Sequence, residues 1–161
     1  RSLDGRPPLD VLREDIGEVL YKQLQRLGGY LFVGLPTRDS DTEDYLVRHI
    51  VGVDPDSKLI AVGDYVEAGQ PLMFCRRDSH SALEDMQRML DALKANLAGP
   101  PRGALYFSCL GRGASMFGET DAEMRMIRDT LGDIPLVGFS ANGEISRNRL
   151  YGYTGVLTVF T

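Results

Sequence analysis

Cysteine, histidine and clustered positive charge are all scarce in this sequence, and each scarcity removes a class of function. Two cysteines, Cys75 and Cys109, are too few for a disulfide framework and suit a reducing, cytoplasmic compartment. Two histidines, with no cysteine pair at metal spacing, leave little material for a zinc site, so no metal and no cofactor are expected. Lysine and arginine total 18 against 23 acidic residues, a net charge of −5, and no basic stripe runs along the chain. Nucleic acid is therefore not an expected partner. No apolar run approaches the roughly 20 residues that span a bilayer, and no signal-peptide pattern opens the chain. A membrane is not expected either. An initiator methionine is also lacking, since the chain opens Arg1-Ser2-Leu3-Asp4-Gly5. That opening is expected of a fragment cut from a longer chain, with part of its surface once an interface.

What is present is ordinary globular material. Hydrophobic residues make up 43% and charged residues 25% of 161, which excludes disorder and allows residues 1–161 to close a core as one domain. The spacing of Leu9, Leu12, Ile16, Val19 and Leu20 predicts a helix from about Pro7 to Leu27. Tyr30 to Leu35 reads as a buried strand, and 39–44 as an acidic loop. Tyr45–Val53 and Lys58–Val62 form the arms of a hairpin turning at Asp54-Pro55-Asp56-Ser57. A second hairpin is expected from Tyr65-Val66 to Leu72–Arg76.

Ser81-x-x-Glu84 resembles a capping box opening a second helix, whose inner face carries Leu83, Met86, Leu90, Leu93 and Leu97. Ala104–Leu110 is a central strand. Thr120-x-x-Glu123 caps a third helix with Met124, Ile127 and Leu131 inward. Pro135–Phe139 and Gly152–Phe160 close the domain as strands. The expected class is α+β: a mixed, largely antiparallel sheet with about three helices packed on it.

Polar and special residues collect at the ends of the late strands. Gly111 and Gly113 let the chain turn sharply around Arg112, setting a cation near Cys109 and favouring its thiolate. The plain alternative is a small buried residue at a strand end. Asn142-Gly143 is a turn dipeptide that delivers Glu144. Arg112 and Glu144, if opposed in one pocket, would receive the carboxylate and the amine of a zwitterion. Glu144 could equally be solvated, or pair with Arg112, Arg147 or Arg149. Catalysis by Cys109 would need an adjacent base and an orienting group, and neither His49 nor His80 is linked to it in sequence. No catalytic residue is assigned, and the chain is not expected to be an enzyme.

Across these residues the sequence resembles the C-terminal domain of FIST proteins. The carriers are Gly103 through Gly113 (GALYFSCLGRG), Ile134 through Phe139 (IPLVGF), Asn142-Gly143-Glu144-Ile145 and Gly152 through Leu157 (GYTGVL). Leu3-Asp4-Gly5-Arg6-Pro7, Tyr45-Leu46-Val47-Arg48 and the stretch from Gly63-Asp64 to Gly69-Gln70 resemble the family's opening segment and middle strands. The resemblance implies a small-ligand-binding sensory domain in signal transduction, with amino acids among the proposed ligands. It also implies a FIST N-terminal domain upstream in the same chain as partner. By position, Cys109, Gly111, Arg112, Asn142, Gly143, Glu144, Tyr153 and Thr154 match the family's motif and are the candidate ligand-binding residues. Relatives within F-box proteins imply an alternative role as a protein-interaction module.

Overall fold

The computed structural model describes residues 1–26, 28–37, 45–146 and 148–161. They form two compact units, Arg1–Arg77 and Asp78–Thr161. The class is α+β as expected, but the strands fall into three sheets of four, three and two strands. Among the described residues, all strand pairs but one are antiparallel.

In the first unit, α1 spans Pro8–Tyr21, with Pro8 in the first turn, where a missing N–H is harmless. It ends short of the expected Leu27, which lies outside the described residues, as does the predicted loop 39–44. A 3-10 turn, Leu24–Arg26, follows it. Gly17 breaks the helix with φ 78° and ψ 163°, so the 3.6-residue rhythm does not carry through. Leu9 and Leu12 are buried ahead of the break, while Val19 beyond it is 75% exposed.

The four-stranded sheet has the order β3-β2-β1-β4. Its strands are β1 Leu31–Pro36, β2 Tyr45–Asp54, β3 Leu59–Val62 and β4 Met73–Arg76. The β2–β3 hairpin is as read from the sequence. Its turn is held by Asp54, whose Oδ1 accepts the amides of Asp56 and Ser57 at 3.0 and 3.3 Å. The second hairpin does not form: Tyr65 and Val66 are exposed and outside any strand, and β4 pairs with β1. The reason lies in β1, whose Leu31 to Leu35 are all buried. A strand apolar on both faces belongs in the middle of a sheet and needs a partner on each side.

In the second unit, α2 spans Ser79–Ala95. Its cap is Asp78, not Ser81: the carboxylate accepts the Ser81 amide at 3.0 Å and the Ser81 hydroxyl at 2.6 Å. The central β5, Gly103–Cys109, runs parallel to β6, Leu136–Ala141, and antiparallel to β9, Gly155–Phe160. Between β5 and β6 lie a four-residue turn of helix, α3 (Ala114–Phe117), and α4 (Ala122–Leu131). Between β6 and β9 lies a small hairpin, β7 Glu144–Ser146 with β8 Arg149–Tyr151. Met86 and Leu90 of α2, Ile127 and Leu131 of α4, and Tyr106 of β5 form the core. Among the described residues, no helix is long and apolar enough to cross a membrane.

Candidate functional site

The late-strand residues do meet, at the C-terminal end of β5. Strand alternation puts Ala104, Tyr106 and Ser108 on the face that meets the helices. Beyond Cys109 the chain turns, the Arg112 amide donating to the Cys109 carbonyl at 2.8 Å. The turn remains tied to both neighbouring strands. The Cys109 amide donates to the Thr154 carbonyl at 2.9 Å, and the Leu110 amide to the Ala141 carbonyl at 2.7 Å. The chain passes close to Tyr153 at Gly111, where a Cβ would lie 2.6 Å from the Tyr153 ring and would force it to shift. Tyr153 itself holds a left-handed backbone, φ 63°, uncommon for a residue with a side chain.

The centre of the cluster is a residue the sequence reading placed elsewhere. Glu123 is not a helix cap: α4 has no side-chain cap, and the Glu123 carboxylate is buried. It accepts the Tyr106 hydroxyl at 2.8 Å, the Ser108 hydroxyl at 2.9 Å and Arg112 Nε at 2.6 Å. The signal for it was in the pattern. Glu123, Ile127 and Leu131 recur every four residues and share one buried helix face, where a carboxylate must find partners.

Of the partners open to Glu144, Arg112 is thus taken by Glu123. Besides Glu123, Arg112 donates from Nη1 to the Tyr153 carbonyl at 3.2 Å, and its guanidinium stands 5.4 Å over the Phe117 ring. The Cys109 sulfur is buried and accepts a long bond, 3.4 Å, from the Gly111 amide.

Glu144 sits at the start of β7, after the bend at Gly143 (φ 127°). One carboxylate oxygen accepts the Thr154 hydroxyl; the other, Oε1, is buried and has no partner among the described residues. Arg112 and Glu144 are nonetheless bridged by adjacent residues, since one grips Tyr153 and the other Thr154. Asn142 is exposed. Arg147 lies outside the described residues, and Arg149 pairs across the hairpin with Ser146 in the strand register.

Burial, and then the Glu123 carboxylate beside it, push the Tyr106 phenol well above its usual range. Because that pKa lies above the unfolded value of about 10, the stabilisation is complete below pH ~10 and is lost as pH rises beyond it. One of the seven tyrosines should thus resist ultraviolet titration until the unit unfolds, and Tyr106→Phe should flatten the alkaline loss of stability. Titration of all seven with the fold intact would contradict this. A separate cleft of about 250 Å³ runs beside α4, lined by Met124, Ile127, Arg128, Ile134 and Leu136 among others. It includes none of the eight candidate residues. Among the described residues, no group of three or more His, Cys, Asp or Glu is placed to hold a metal.

The sequence profile of the FIST C domain matches residues 8–147. The chain belongs to the FIST C domain family. Six of the eight candidate residues fall inside the match, and Tyr153 and Thr154 follow it. This FIST C domain is 37% identical over 167 residues to an uncharacterized protein of Mycobacterium tuberculosis, covering 99% of the chain and 44% of that protein. An uncharacterized protein of Mycobacterium bovis is 34% identical over 167 residues, again with 99% of the chain and 43% of the relative covered. The chain thus spans less than half the length of these curated relatives. No solved structure matches it significantly.

Proposed function

We propose that this FIST C domain is a sensory module that binds a small, amino-acid-like ligand at the C-terminal end of β5 and performs no chemistry of its own. The observation that carries this reading is Glu144 Oε1, a buried carboxylate oxygen without a partner among the described residues. Leaving such a group unsatisfied costs about 1–3 kcal/mol or more, so a ligand that supplies a donor gains that amount back. A ligand ammonium suits Glu144. A ligand carboxylate suits the Nη2 edge of Arg112, from which no described residue accepts. The turn from Cys109 to Gly111, the bend Asn142-Gly143 and the strap Tyr153-Thr154 would wall the ligand. The domain would work in the cytoplasm beside a FIST N-terminal domain of the same chain, away from nucleic acid and membrane. Catalysis is disfavoured because Arg112 is engaged by Glu123, leaving Cys109 without an activating cation from that side.

The test is a thermal-shift series with the twenty amino acids. Ligand at 100 times its Kd stabilises by about 2.7 kcal/mol, a rise of roughly 5–10 °C for a chain of this size. Glu144→Gln should abolish the rise, and Cys109→Ser should preserve it. A flat response both here and in a longer relative would sink the reading.

A further inference from the structure

The chain leaves β8 at Tyr151 and enters β9 at Gly155, and the strap Tyr153-Thr154 between them belongs to no strand. Glycine flanks it on both sides. A Cβ on Gly152 would meet nothing within 4 Å, so the chain has room to move before the strap. A Cβ on Gly155 would lie 2.6 Å from the Tyr106 hydroxyl, so the chain after it is packed onto the core. The strap is open at its start and fixed where β9 begins.

Its conformation is not one that its own residues favour. Tyr153 has φ 63°, the left-handed region, where Cβ crowds the backbone and where glycine or asparagine is at ease but tyrosine is not. Such a conformation persists when surrounding contacts impose it. Here Arg112 Nη1 donates to the Tyr153 carbonyl at 3.2 Å, the Cys109 amide donates to the Thr154 carbonyl at 2.9 Å, and the Thr154 hydroxyl donates to Glu144. One of these three bonds is backbone to backbone. The other two come from Arg112 and Glu144, the charged residues of the candidate site.

We infer that Tyr153-Thr154 is a latch, which opens about Gly152 without parting β5 from β9 and which Arg112 and Glu144 hold shut. Opening frees Tyr153 from the left-handed region and gives up the bonds to the strap, so the two side-chain anchors set the balance. The consequence for regulation rests on the reading of these residues as a ligand site. The same guanidinium and the same carboxylate then grip ligand and latch at once, through different atoms. A ligand that holds both groups in place favours the shut latch, and the shut latch favours the ligand. Occupancy is thereby read out at the start of β9.

Two adjacent amides report on the latch. The Cys109 amide bonds to it through the Thr154 carbonyl, while the Leu110 amide bonds to Ala141 of β6 on the other side. The experiment is amide hydrogen exchange by NMR on the 161-residue chain, from no urea to just below the unfolding transition. Cys109 should be about 10-fold less protected than Leu110 and nearly indifferent to urea, since a local opening exposes little surface. Thr154→Val removes the bond to Glu144 at constant size and should lower protection at Cys109 by about a further 10-fold. Thr154→Ser, which keeps the hydroxyl, should restore it, and Leu110 should stay unmoved in both variants.

Equal protection and equal urea dependence at the two amides of the unaltered chain would overturn the latch, whatever the variants do. So would a Thr154→Val variant in which both amides lose protection alike. Neither arm needs a ligand, so a flat thermal-shift series beside a latch that opens would fail the ligand reading alone. Any of the twenty amino acids that raises the melting temperature should protect Cys109 more than Leu110. An equal gain at both would sever the latch from the ligand.

Discussion

Arg112→Ala should destabilise the second unit by about 3–5 kcal/mol, far more than the loss of a surface charge. The variant leaves the Glu123 carboxylate buried without its cation and held only by the hydroxyls of Tyr106 and Ser108. The Arg112 and Glu123 side chains are 12% and 8% exposed, so water cannot take over the missing role. Glu123→Gln leaves the Arg112 guanidinium without a counter-charge but not without acceptors, and should cost less, about 1.5–3 kcal/mol. The amide oxygen still accepts from Arg112 and from the Tyr106 hydroxyl, the Ser108 hydroxyl can turn to accept from its nitrogen, and Arg112 keeps Phe117 and the Tyr153 carbonyl. The double variant Arg112→Ala/Glu123→Gln should then be more stable than Arg112→Ala alone, because no unpaired charge remains. Urea denaturation reads this as a lower midpoint at unchanged slope. Equal losses from the two single variants would show that the buried charge is not what decides the outcome.

That contrast also marks what could be read from the sequence. Features written in local spacing were legible: the β2–β3 hairpin with its Asp54 turn, the inner face of α2, and the apolar run of β5. Features decided by distant contacts were not. Tyr65-Val66 has the composition of a strand, but β1 competes for β4 and buries more by doing so. Gly17 looks like any helical glycine until its backbone sign is known. Thr120-x-x-Glu123 illustrates the deepest ambiguity, since an acid three residues after a threonine caps a helix or starts its buried face with the same letters.

At the site, the sequence brought Arg112, Glu144, Tyr153 and Thr154 to the right strand end, because turns and strand ends carry their own signals. It did not reveal Glu123 as the partner of Arg112, because charge pairing depends on which side chain the fold buries beside which. Glu123 outcompetes Glu144 for Arg112 from inside the core, where the carboxylate has no water to fall back on.

The same network depends on a glycine that carries no charge. Gly138→Ala should abolish stable folding of the second unit, a loss above about 4 kcal/mol from a total that is typically 5–15. Gly138 stands opposite Tyr106 in the parallel β5–β6 pair. A Cβ added there would lie 2.6 Å from the Tyr106 carbonyl carbon, and closer still to its oxygen. Those are backbone atoms of the central strand, so no rotamer change relieves the clash and the strands must part. Parting them moves Tyr106, whose ring lies in the core and whose hydroxyl helps hold Glu123. The cost therefore reaches the candidate site as well as the core. Gly152→Ala is the matched control, since its Cβ would meet nothing within 4 Å and it should change stability by no more than about 0.5 kcal/mol. Comparing the two by circular dichroism and amide-proton dispersion isolates the close approach from any general effect of losing a glycine. Should Gly138→Ala behave like Gly152→Ala, β5 and β6 cannot be as tightly apposed at Tyr106 as described, and the positioning of Glu123 would need another source.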